Sequence, residues 1–532
     1  MPGRNAIIFV SNIFLASIFL ASMVQSALAA PAGLQVKIDS GTIEGKASGP
    51  VRTFLGIPYA APPLGELRWK PPAPVAQWAG IRSAKEFGAR CMQSRVYSDM
   101  VFRDPGISED CLSANVWTAA KNAKSSLPVM VWIHGGGFMA GSSSEPRQDG
   151  GMLARRGVVV VSMNYRLGIF GFFVHPELAA ESEKKAAGNY GLLDQVAALE
   201  WVQRNIASFG GDPANVTIFG ESAGSSSVSA LMASPLAKSL FHKAIGESGA
   251  AFSRSALAFE PMAERARSDS EFANSSFGVQ SLKELRALPA QKVLEASYKI
   301  ESRGKPRFVP DVDGYFLPEQ VSAIFAEGKQ NDVPLLAGWN RDEGSFTQVP
   351  GETPAETLKA TAAKDFAGKA DEFLRLYPGD NPANDYAQAR RSLKDLAGDS
   401  FIAWSTWRWL EAQAASGKQP MYRYRFDLGP PPDPNAPDRG AYHSSEIEYV
   451  FGALDSKAGI AWRPEDRSLS DLMQAYWTNF AISGNPNGPG LPPWPAYRAS
   501  SGWEVLYLTA QPKAEKDSAR DRYLFLNTVW GK

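Results

Sequence analysis

The chain is poor in the two residues that most often build special chemistry: among 532 residues there are only two cysteines and four histidines. With Cys91 and Cys111 as the whole supply, at most one disulfide can form within the chain. Charge of either sign is also lacking in excess. Lys plus Arg and Asp plus Glu number 55 each, with no run of like charges, so no net field draws the protein to nucleic acid or anionic lipid. A small-molecule partner is the expectation that remains. Past the N-terminus no segment reaches the roughly 18 uninterrupted apolar residues of a membrane span, so stable membrane insertion is not expected. Internal repeats and low-complexity tracts are absent too, and the breaker-rich stretch Gly429–Asp438 reads as an exposed loop.

What is present begins with residues 1–29, where Arg4 precedes an apolar run from Ala6 to Val24 and Ala27-Leu28-Ala29 supplies small residues for cleavage. This pattern predicts a signal peptide, a mature chain starting near Ala30, and a secreted or periplasmic location; a retained anchor helix is the alternative. Export favours a bridge between Cys91 and Cys111 over two buried thiols. Closing their 19-residue loop would restrict the unfolded chain by about 3 kcal/mol.

Apolar runs at Val129–Ile133, Gly157–Met163, Val216–Phe219 and Val333–Ala337 each stop at polar or glycine-rich turns, and helix-like spacing marks Leu192–Asn205 between them. Alternating strands and helices predict an α/β fold with a doubly wound, mostly parallel sheet. Ligands of such sheets sit beyond the carboxyl ends of the strands.

The turns carry the chemistry. Gly220-Glu221-Ser222-Ala223-Gly224 fits G-x-S-x-G, in which a strand turns sharply into a helix and lifts a serine hydroxyl into a cleft. Its rival is a serine in an ordinary tight turn. His134-Gly135-Gly136-Gly137-Phe138 follows another strand, and its glycines let backbone N–H groups approach an oxyanion. A phosphate cradle would want a following Lys-Ser/Thr, which is missing. In α/β-hydrolases the chain order is serine, acid, histidine. His134 belongs to the glycine loop, His175 lies upstream, and His242 follows the serine too closely and reads as structural. His443 therefore remains as the base. Just beyond Val333–Ala337, both Asp342 and Glu343 are candidates for the carboxylate that steadies its imidazolium.

The likeness to one family is extensive, running from about Gly41 to Tyr497. It includes Phe54–Ala60, Leu67-Arg68-Trp69, Ser108–Leu112 with Asn115-Val116, Asn164-Tyr165-Arg166, Gly188–Gln195 and Phe209–Pro213. Val312-Asp313-Gly314, Trp477–Phe480, Gly484-Asn485-Pro486 and Trp494-Pro495 continue it. In these motifs the chain resembles the type-B carboxylesterases, which include cholinesterases, bacterial ester hydrolases and the non-catalytic neuroligins. The resemblance implies the α/β-hydrolase fold as a single domain over residues 30–532, and a triad of Ser222, Glu343 and His443. It implies oxyanion donors at Gly136, Gly137 and Ala223, a Cys91–Cys111 disulfide, and Glu221 close to the triad histidine. It implies neither a metal nor an organic cofactor. Cholinesterases carry a choline-facing tryptophan in the first disulfide loop, whereas residues 92–110 contain none.

A two-step acyl transfer is thus expected, on aryl, hydroxycinnamoyl or medium-size carboxylic esters. Phe138, Trp339 and Phe346 flank the motifs and could line a substrate pocket, with Trp404, Trp407 and Trp409 either beside them or in the core. Arg166 and Arg341 read as salt-bridge partners. A catalytically inactive binding module of the same fold is the alternative.

Overall fold

The computed structural model describes residues 33–531 apart from 255–256, 280, 302–307, 347–352, 380–386 and 434–436; the expected signal peptide lies outside the described residues. Eleven strands form the central sheet. They are β1 (Lys46–Ser48), β2 (Val51–Pro58), β3 (Ser113–Thr118), β4 (Leu127–Ile133), β5 (Val159–Met163) and β6 (Gly211–Glu221). β7 (Lys243–Glu247), β8 (Leu335–Asn340), β9 (Met421–Phe426), β10 (Glu504–Leu508) and β11 (Lys513–Lys516) complete them.

Their spatial order is β11-β10-β9-β8-β7-β6-β4-β5-β3-β2-β1. The stretch from β10 to β5 is parallel throughout, while β11 and the β3-β2-β1 flank pair antiparallel. The sheet is therefore mixed, with its parallel part at the centre. The four apolar runs of the sequence all lie in that part, which is covered on both faces and so needs continuous hydrophobic strands.

The pleat sorts these strands between two cores. Val129, Val131 and Ile133 of β4 point to one, Met130 and Trp132 to the other. The first is filled by α1 (Tyr190–Asn205), α2 (Ala223–Ala233), α3 (Trp404–Ser416) and, across the opposite face, α4 (Pro464–Ser483) fills the second. Leu192, Val196, Leu199 and Val202 of α1 recur at helical spacing because that stripe is what the sheet covers. Each fully buried Val or Leu contributes about 1.5–3 kcal/mol, so a charge at Leu199 would break this packing. Trp404, Trp407 and Trp409 are core residues; Trp404 meets Trp530 edge-on and Trp407 stacks on Tyr523.

Register brings the carboxyl ends of three neighbouring strands level: Glu221 of β6 pairs with Glu247 of β7, which pairs with Gly338 of β8. The loops that leave this edge build the site. Cys91 and Cys111 are disulfide-bonded, and the loop they close lies over the turn that follows β4.

Candidate active site

Ser222 stands at the junction of β6 and α2 with φ 56° and ψ −120°. A non-glycine residue held there costs about 1–3 kcal/mol. The surroundings enforce it: the Ser222 N–H donates to the Glu247 carbonyl at 2.8 Å. The flanking glycines are steric necessities, because a Cβ on Gly224 would stand 2.0 Å from the Ile133 carbonyl oxygen and one on Gly220 would stand 2.7 Å from it. Strand, turn and helix thus leave one geometry, in which Ser222 is buried.

His443 comes to it from a loop beyond β9. Its Nε2 lies 3.0 Å from Ser222 Oγ, and its Nδ1 lies 2.7 Å from Glu343 Oε2. With the imidazole neutral, the serine hydroxyl donates to Nε2 while Nδ1–H donates to the carboxylate. The other Glu343 oxygen accepts the Asn340 N–H at 2.9 Å, which fixes the carboxylate's orientation. Asp342 is engaged elsewhere. It pairs with Arg341 and Arg391 and accepts the Ala441 N–H at 2.9 Å, so it ties the loop of His443 to that of Glu343. Of the two carboxylates left open by the sequence, Glu343 is the one that reaches the imidazole.

Glu221 adds a third contact, with Oε1 3.2 Å from His443 Nε2. Burial pushes the Glu221 carboxyl up from its ordinary range. Burial by itself would lower the His443 imidazole; the Glu221 and Glu343 charges outweigh that and raise it above the ordinary histidine value. Beneath them lies Glu446, whose carboxylate accepts from Asn340 Nδ2 and from Ser248 Oγ, the latter at 3.2 Å. Nothing in the sequence drew attention to Glu446, Asn340 or Ser248, because none sits in a recognisable motif.

The glycine loop packs on the other side of the serine. A Cβ on Gly135 would stand 3.0 Å from Ser222 Cβ and 2.6 Å from the Glu221 carbonyl oxygen. Gly136 and Gly137 adopt φ 103° and 64°, and a Cβ on Gly136 would meet the Ala140 carbonyl oxygen at 2.0 Å. Among the described residues, neither Gly136 N–H nor Gly137 N–H is bonded to a backbone carbonyl. Ala223 opens α2 directly after the serine, so its N–H belongs to the first turn of a helix. His134 is neutral, held down at about 4 by burial, and stacks on Tyr165.

Of the expected pocket residues, only Phe346 is exposed. It meets Phe401 edge-on with ring centroids 5.1 Å apart, and Phe401 in turn meets the His443 ring at 5.0 Å. Phe401 escaped the sequence reading because it lies in a π-helical turn, Asp399–Ala403, that interrupts the helical periodicity. Phe138 and Trp339 are corrections: both are fully packed. Phe138 is T-shaped against Phe172, and Trp339 lies 4.1 Å from the Arg423 guanidinium carbon and meets Tyr523 edge-on. Alternation along β8 turns Trp339 into the first core. The remaining histidines are structural, His175 accepting the Glu177 N–H and His242 the Val216 N–H. Arg166 forms a buried two-pronged pair with Asp194.

Residues 32–525 match the model of the carboxylesterase family. The chain is 39% identical to fumonisin B1 esterase of Sphingopyxis macrogoltabida, over 86% of this chain and 83% of that protein. It is 38% identical to para-nitrobenzyl esterase of Bacillus subtilis, covering 91% and 96%, and 37% identical to carboxylesterase 1E of Mus musculus, covering 88% and 90%. A solved structure of PNB esterase superposes with a TM-score of 0.76 at 35% identity, over 92% of this chain and 98% of that one. The fold is that of the α/β-hydrolases, the activity is carboxylic ester hydrolysis, and the chain belongs to the carboxylesterase family.

Proposed function

We propose that the protein hydrolyses its esters by two-step acyl transfer, with Ser222 as nucleophile, His443 as base and then acid, and Glu343 as the group that orients His443. The observation that carries this reading is the unbroken relay from Ser222 Oγ to Nε2 at 3.0 Å and from Nδ1 to Glu343 at 2.7 Å. His443 takes the serine proton as Oγ bonds to the ester carbon. The negative charge on the carbonyl oxygen is met by N–H groups of Gly136, Gly137 and Ala223, and the alcohol departs with the proton from Nε2. Water then repeats the sequence on the acyl-enzyme, releasing the acid and restoring Ser222.

The substrates we favour are aryl, hydroxycinnamoyl or medium-size carboxylic esters. Support comes from the aromatic corner of Phe401 and Phe346 beside His443, which offers a ring edge to an aromatic group. The protein is further proposed to act as one unit from residue 30 onward, exported after cleavage near Ala30; the Cys91–Cys111 disulfide suits an oxidising compartment.

Hydrolysis of chromogenic aryl and alkyl esters, together with a p-nitrobenzyl ester and fumonisin B1, tests the reading. Activity should be abolished in Ser222→Ala, and aryl esters should outrank alkyl esters of equal size. Retained hydrolysis in Ser222→Ala would refute the mechanism, and no preference for aryl groups would refute the substrate assignment.

A further inference from the structure

The donors proposed for the oxyanion are backbone N–H groups, so no side chain of their own fixes where they stand. The loop from His134 to Gly141 is held instead from outside, at three places. At its start Tyr165 Oη donates to the His134 carbonyl at 2.8 Å. In its middle the Gly168 N–H donates to the Phe138 carbonyl at 2.7 Å. At its end stands Gln93, two residues beyond Cys91 in the disulfide-closed loop.

Gln93 is buried, and its carboxamide engages Gly141 in both directions. The Gly141 N–H donates to Oε1 at 2.9 Å, while Nε2 donates to the Gly141 carbonyl at 2.7 Å and to the Cys91 carbonyl at 3.1 Å. A primary carboxamide carries this donor-acceptor pair in one plane; a carboxylate or an ammonium cannot supply both.

Gly141 is a position where a small movement is passed on. It has φ 125°, and a Cβ there would lie 2.3 Å from His134 Nδ1 and 2.7 Å from the Gly135 carbonyl oxygen. The end of the loop is thus folded back on its beginning, and the turn between them is closed by Met139 and Ala140 N–H groups donating to the Gly136 carbonyl. The same disulfide loop sets the Met100 methyl 3.2 Å from where a Gly136 Cβ would stand, and the Tyr97 hydroxyl 3.0 Å from where a Gly137 Cβ would stand. Beyond Gly141, Asp104 accepts from Ser142 Oγ at 3.0 Å and from Ser144 Oγ at 2.6 Å.

We infer that Gln93 is a positioning residue for ester hydrolysis: acting through Gly141, it sets where the Gly136 and Gly137 N–H groups stand when the oxyanion forms. This rests on the acyl-transfer reading given above. The bonds of Gln93 go to Cys91 and Gly141, so its influence is felt only through the loop. Donors displaced by a fraction of an ångström lose most where charge has fully developed, in the transition state, and least in the substrate complex.

The test uses Gln93→Ala and Gln93→Glu in the full chain. The second keeps length and an acceptor oxygen but removes the N–H donor and sets negative charge against the Gly141 carbonyl. Three readouts are taken on folded protein: kcat and KM for a chromogenic ester, the acid limb of the pH profile, and inhibition by a trifluoromethyl ketone. In the ketone adduct Ser222 Oγ bonds the carbonyl carbon, its proton passes to His443, and the oxygen becomes an oxyanion.

The expected result is a fall in kcat of about tenfold to a hundredfold, a matching rise in the ketone's inhibition constant, and KM within about twofold. The acid limb should not move, because the triad is untouched. Wild-type kcat and ketone affinity in both variants would overturn the assignment, as would a kcat loss that tracks a shift of the acid limb. Failure of both variants to fold would also overturn it, making Gln93 a brace of the fold alone. Ser222→Ala run in parallel separates the two claims: if it retains hydrolysis the acyl-transfer reading fails, and if it is inactive while the Gln93 variants are normal only the role of Gln93 fails.

Discussion

The two sides of Ser222 are built on different plans. On one side a side chain, His443, meets the serine, and the carboxylates of Glu343 and Glu221 stand against its ring. On the other, Gly135, Gly136 and Gly137 present only backbone, and its position is borrowed from Tyr165, Gly168 and the disulfide loop. A side-chain relay fails when one residue changes. A backbone cradle fails when its supports move, even though its own residues stay the same.

That contrast orders the expected effects. On the relay side Glu343→Gln should lower kcat by about 10³- to 10⁴-fold because the imidazolium loses its counter-charge and its tautomer; the measurement is steady-state kinetics at fixed pH. On the cradle side Gly136→Ala should cost about 10²- to 10³-fold in kcat. Its Cβ would force the Ala140 carbonyl, 2.0 Å away, out of place. An effect of Gly136→Ala as small as that of a surface substitution would break the comparison.

Opening the disulfide acts on the cradle's support. Cys91→Ser combined with Cys111→Ser should destabilise the fold by about 3 kcal/mol, read by denaturant unfolding, and should lower kcat in the surviving folded protein while leaving the acid limb in place. A change confined to stability would separate the disulfide loop from the site.

The smallest effect sharpens the relay side. On the proposed mechanism activity needs neutral His443, so it is lost as pH falls through the imidazole's pKa. That pKa is raised by Glu221 and Glu343 against the lowering effect of burial. The acid limb of kcat/KM should therefore lie above the ordinary histidine value, and Glu221→Gln should move it down by about one pH unit. An upward shift would contradict the geometry at 3.2 Å.

The contrast also explains what the sequence made legible. Strands β4, β5, β6 and β8 were readable because burial on both faces demands unbroken apolar runs, although the antiparallel flank at β3-β2-β1 carries no such signal. Ser222 and the glycine loop stand in short contiguous motifs, and His443 was reachable because histidine is so scarce. The choice between Asp342 and Glu343 could not come from chemistry alone, since both are carboxylates on one turn; it depends on which side of that turn faces the imidazole. Gln93 and Phe401 were illegible for a related reason. One works through a contact 48 residues away in sequence, and the other sits in a π-turn that shifts the helical phase. Phe138 and Trp339 misled because nearness to a motif in sequence says nothing about the face on which a side chain lies.

The central claim is that Ser222 Oγ, activated by His443, forms the covalent bond to the acyl group. The most direct measurement is mass spectrometry of the intact and digested protein after rapid quenching with a slowly deacylating aryl ester. The account predicts one acyl group per chain, on the peptide containing Ser222, absent in Ser222→Ala and nearly absent in His443→Ala. Turnover with no adduct at Ser222 under conditions where acyl release is slow, or an adduct on another residue, would contradict it.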